Sequence, residues 1–82
     1  MYSTLAAAIR WFPSQKQAID ERAARDESFR SICEDLEDAE FALQKMENSK
    51  SPKRDQHCSQ IRELIDSLAR EIAAALSRDG EE

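Results

Sequence analysis

The sequence is poor in the residues that build turns, sheets and cofactor sites. Gly80 is its only glycine, Pro13 and Pro52 its only prolines, His57 its only histidine, and Cys33 and Cys58 its only cysteines. One glycine near the carboxyl end excludes a glycine-rich phosphate loop. A bundle-type di-metal site needs inward Glu with Glu-x-x-His pairs, yet His57 has Arg54 three residues before it. Cys33, Cys58 and His57 are too few and too scattered for zinc within one chain. Glu34 and Asp35 beside Cys33 disfavour a thiolate, so no nucleophile is expected there. No cofactor and no metal are expected, and the chain reads as a non-enzyme.

Two further shortages bound the fold. Aromatic and β-branched residues are scarce, which argues against a sheet. No apolar run approaches the ~20 residues of a membrane span. Residues 1 to 12 are apolar but lack the basic start and small-residue cleavage site of a secretion signal, so a cytoplasmic protein is expected. With Arg10 as its only basic residue, that segment is also a poor membrane-surface anchor. The formal charge of -5 works against wrapping nucleic acid or binding an anionic membrane.

What remains is a helix-former's composition, rich in Ala, Glu, Asp, Arg, Lys and Leu. An all-α fold is expected. Phe29, Ile32, Leu36, Ala39, Leu43 and Met46 recur at alternating steps of three and four, as do Cys58, Ile61, Ile65, Leu68, Ile72 and Ala75. Folded about residues 48 to 51, the two stripes pair 46 with 58, 43 with 61, and so on to 29 with 75, with a constant sum. Each layer then sets an a position against a d position, which predicts an antiparallel, coiled-coil-like helical hairpin with arms of about 14–48 and 52–77. Ser51 and Pro52 suit a cap and first helical position, and residues 79 to 82 form an acidic tail. In the paired register about thirteen residues of helix separate Cys33 from Cys58, roughly 20 Å, which a disulfide cannot span.

Before the hairpin, residues 1 to 13 read as a short amphipathic helix, with Tyr2, Leu5, Ile9 and Phe12 in one stripe and Trp11 outside it. Pro13 interrupts, and Ser14 with Gln17 has capping-box spacing. One long helix from Ser14 to Asn48 is favoured over a break capped by Asp26, although that continuity places Arg22 and Arg25 at core positions.

Two helices alone bury little, so the flanks must be covered. The first helix docks on the hairpin, or two hairpins dimerise into a four-helix bundle, and the two schemes can coexist. Candidate contacts are Tyr2, Leu5, Ile9, Trp11, Phe12, Phe41, Leu64 and Leu76. In outline such a dimer resembles the small hairpin proteins that pair and bind RNA loops, but no sequence motif carries the likeness and no functional residue follows from it. The acidic run Glu34, Asp35, Glu37, Asp38 and Glu40 reads as solvated helix surface, with Glu40 opposite Arg62 and Asp35 opposite Glu71. That like-charge pair points to a basic group nearby, from another chain or from Arg22 or Arg25 of a partner subunit. The function expected is a non-catalytic interaction module, self-associating as a homodimer and binding a protein partner. The alternative is an RNA- or DNA-binding dimer using Lys45, Lys50, Lys53 and Arg54 around the turn.

Overall fold

The computed structural model describes residues 5–80, with side chains for 5–77. Tyr2, Ser3 and Thr4 lie outside the described residues, as do Glu81 and Glu82 of the expected acidic tail. The described chain is all-α, with helices α1 (Ala6–Trp11), α2 (Lys16–Arg25), α3 (Glu27–Glu47) and α4 (Arg54–Gly80), and a 3-10 turn at Pro13–Gln15. No described helix is long and apolar enough to cross a membrane. The molecule measures 48 × 28 × 21 Å, its long axis set by α4, whose 27 residues span about 40 Å.

α3 and α4 share the most extensive contact. Its partners run in opposite order along the two helices: Glu47 meets Arg62, Ala39 borders Leu64 and Leu68, and Phe29 borders Ala74 and Ala75. Phe29, Leu36, Ile65, Ile72 and Ala75 are buried along this contact, as is Cys58 near the turn, whereas Ile32, Leu43, Met46 and Ile61 are only half-buried. Much of the burial toward the open end comes from α1 and α2. Both pack on α3 and α4, and their buried side chains belong to the same core as Phe29 and Ile72.

The long first arm is broken at Asp26, not continuous. Asp26 is extended, at φ -132° and ψ 101°, and its carboxylate caps α3 by accepting the Phe29 N–H at 3.1 Å. Continuity would force the Arg22 and Arg25 charges toward an apolar seam, which is costly. With the break, α2 turns Ile19 and Ala23 into the core instead, and Arg22 pairs with Asp26 at 3.0 Å. Arg30 closes the joint by donating to the Ala23 carbonyl at 2.9 Å.

Other helix ends also differ from expectation. The capping box at Ser14 does not form: Pro13–Gln15 makes a 3-10 turn, and Gln17 donates to Glu21 within α2. Ser51 and Pro52 belong to the connection, where the Ser51 hydroxyl accepts the Lys53 N–H at 3.2 Å. The second arm therefore starts at Arg54, two residues later than Pro52. α1 is described from Ala6, and the start of the stripe at Tyr2 lies outside the described residues.

The Asp26 carboxyl sits below its ordinary value of 3.8, chiefly because it accepts the Phe29 N–H; desolvation opposes this, and Arg22 adds to the lowering. A lowered folded pKa means the cap's stabilisation is complete above about pH 4 and lost as pH falls through the folded value. Asp26→Ala should lower the melting temperature by several degrees at pH 7, roughly what loss of one cap costs a domain of this size. As pH falls through the lowered folded value the wild type and variant should converge in thermal melts; a constant difference across pH would mean the carboxylate charge is irrelevant.

Candidate interaction surfaces

Glu37 and Glu40 stand one helical turn apart on α3 and hold opposite ends of α1. The Ala7 N–H donates to Glu37 Oε2 at 2.7 Å, filling a first-turn donor that α1 cannot satisfy itself. Glu40 accepts from Arg10 Nη2 and from Trp11 Nε1, each at 2.7 Å. The Arg10 guanidinium is raised above its ordinary value first by that hydrogen bond to Glu40. Between these anchors Ala7 and Ala8 are fully buried, because only small side chains let α1 approach α3 this closely. Leu5, Ile9 and Phe12 pack against the same core as partly buried flanks.

Two readings of the acidic run are corrected by this geometry. Glu37 and Glu40 are not plain solvated surface; they are the docking groups for α1. Nor does Glu40 pair with Arg62, which turns toward the turn end and donates to Glu47 at 2.9 Å. A signal existed in the sequence: Arg10 and Trp11, adjacent donors at the end of a short helix, need acceptors, and α3 offers a dense row of them. Glu40→Ala should release Trp11, shifting its fluorescence to longer wavelength while costing about 1 kcal/mol or less in stability, since the pair is exposed. An unchanged emission spectrum would show that the indole is held by other contacts.

The remaining candidate contacts fall into distinct places. Leu76 is 5% exposed and belongs to the core of the single chain, so α1 and α2 have already closed the open-end flank on which it was expected to act as a contact. Trp11, Phe41 and Leu64 are the exposed large apolar residues, at 43%, 62% and 51%. They do not share one surface. Trp11 forms the wall of a hollow of about 370 Å³, with Leu43 and Ile65 beneath it and Glu40, Arg62 and Asp66 around it. Leu64 lies on a second hollow of about 350 Å³ with Leu68, Ala39, Asp35 and Asp38. Phe41 sits on the outer side of α3 beside Glu34, Glu37 and Asp38, and the Lys45 ammonium covers its ring at 5.4 Å.

The chain matches no known protein family, curated protein or solved structure. Its candidate sites therefore stand on geometry alone.

Around the turn, Lys45, Lys50, Lys53 and Arg54 are all exposed, but Arg54 Nε lies 3.7 Å from Asp55 and Lys45 is over Phe41. Arg22, expected from a partner subunit, lines a hollow with Glu71 of its own chain, beside Phe29 and Ile32. Cys33 and Cys58 are both reduced and buried, and burial pushes the Cys33 thiol up to about 11. Among the described residues no three His, Cys, Asp or Glu side chains are grouped to hold a metal ion.

Proposed function

We propose that this chain is a non-catalytic helical interaction module, in which α3 and α4 form an antiparallel coiled-coil-like hairpin that self-associates and presents a groove to one amphipathic helix of a protein partner. The observation that carries the reading is the hollow beyond Trp11. α1 ends there, while the α3–α4 contact continues toward the turn with Leu43, Met46 and Ile61 only half-buried. A partner helix laid in line with α1 extends a packing arrangement the chain already uses on itself. Amphipathic helices commonly bind such apolar grooves through side chains spaced three and four apart.

Native mass spectrometry of the chain, purified gently from the cells that make it, tests this reading. The expected species contain, besides copies of this chain, a subunit of different mass that is retained by the wild type and lost on Trp11→Ala with Leu43→Lys, while circular dichroism stays helical. A subunit retained equally by that variant would place the partner elsewhere, and a bare monomer would remove both parts of the proposal. Nucleic-acid binding at the turn is the competing reading. It is weakened by the net charge of -5. A salt-sensitive mobility shift abolished by Lys50→Glu with Lys53→Glu would favour it instead.

A further inference from the structure

The face of α3 and α4 that carries Leu64 is built differently from the face that α1 covers. Along α4 it presents Gln60, Leu64 and Ser67, all exposed and uncharged. Along α3 it presents exposed Ala42, beside Ala39 and Leu68 of the second hollow. Beyond these residues opposite charges gather toward the two ends. Asp35, Asp38 and Glu71 lie on the open-end side of Leu64, and Lys45, Lys50 and Lys53 lie on the turn side. Asp35 lies seven residues before Ala42, about 10 Å along α3, and Ser49 and Lys50 follow just past the end of α3.

We infer that this face binds a second copy of the chain about a twofold axis passing beside Ala42 and Leu64. A twofold interface is self-complementary, so a residue near the axis meets its own copy and residues on opposite sides meet each other. Here the apolar pair Ala42 and Leu64 falls at the centre. The acidic side of one copy falls on the basic side of the other, with Asp35 at the height of Lys50 and Asp38 at the height of Lys45. A side-by-side pairing with both turns at the same end would set Asp35 and Asp38 against themselves. The charge distribution therefore selects the antiparallel pairing, as opposed charges fix register in helical assemblies. The α1 face and the Trp11 hollow stay open in this dimer, so a partner helix and the second copy do not compete.

The inference rests on the self-association in the proposed function, and its tests separate the two. In the full chain with Cys33→Ser and Cys58→Ser, Ala42→Cys should form a disulfide-linked homodimer on mild oxidation, whereas Asp66→Cys, on the Trp11 side of α4, should not. By sedimentation, Leu64→Glu should weaken the dimer at least 100-fold with unchanged helicity. Asp35→Lys with Asp38→Lys should weaken it at least tenfold, and adding Lys45→Glu and Lys50→Glu should restore it. A monomeric wild type at several hundred micromolar would overturn both the axis and self-association. A wild-type dimer indifferent to Leu64→Glu and to the charge exchange, with no Ala42→Cys cross-link, would overturn the axis alone.

Discussion

Phe29→Ala should lower the melting temperature by roughly 15 °C, the effect expected when removing a buried aromatic ring costs about 3 to 5 kcal/mol in a domain of this size. The size follows from what converges on that residue. Its ring is 2% exposed and lies beneath the Arg22 guanidinium of α2, 5.9 Å from the ring centroid. Its N–H is the donor that the Asp26 cap satisfies, and it borders Ala74 and Ala75 of α4. Truncation leaves a cavity at the joint of α2, α3 and α4 and uncovers the aliphatic part of Arg22, which packs there while its charge stays paired. Phe41→Ala supplies the control. That ring is 62% exposed, and losing it forfeits mainly the contact with Lys45, about 0.5 to 1 kcal/mol. Equal shifts in the two thermal melts would mean that the Phe29 joint is not what holds α2 to the rest.

The contrast between these two phenylalanines shows what was legible in the sequence. Phe29 sits in the three-four stripe and Phe41 does not, and burial follows that distinction. The all-α class was equally legible, because scarce glycine, proline and β-branched residues leave few alternatives. The break at Asp26 was not. Helix propensity is a local quantity and favours continuity through Ala23, Ala24 and Arg25, whereas the break is decided by which side chains reach a core made by distant residues. Ile19 and Ala23 are fit for burial and Arg22 and Arg25 are not. That comparison becomes decisive only once α4 supplies the core.

The surfaces show the same division. The stripe pattern sets Leu76 on the flank toward the open end and Leu64 on the other flank nearer the turn, but periodicity alone does not say which flank is covered within one chain. The difference is made by α1 and α2, whose buried side chains share one core with Leu76, while Leu64 stays exposed. The docking of α1 depends on two carboxylates of a run whose charge density suggested solvent. Periodicity locates a contact between long helices well, and it locates poorly a short helix held by hydrogen bonds from its ends. Small residues are the clue it underweights: Ala7 and Ala8 carry little apolar area, yet they are the fully buried residues of α1.

Ala8→Arg should therefore detach α1 and expose Cys33, raising its rate of alkylation at pH 8 by at least about tenfold, an effect read in the Cys58→Ser chain by mass spectrometry. Cys33 precedes Glu37 by four residues and so lies on the same side of α3, the side on which Glu37 holds Ala7. In the wild type the thiol is fully buried and raised to about 11 from an ordinary 9.0 by desolvation. Because the folded value is the higher one, its share of stability is complete below about pH 9 and lost as pH rises through 11. Reactivity at pH 8 thus reports opening of the structure more than ionisation of the closed state. An arginine in place of a fully buried methyl cannot fit between α1 and α3 without separating them. Local detachment predicts labelling that changes little with low urea, since little surface is uncovered, whereas global unfolding predicts a steep rise. A steep urea dependence would show that α1 is required for the whole fold. An unchanged labelling rate would show that Cys33 is shielded by α4 alone, and the docking role assigned to Glu37 would fail with it.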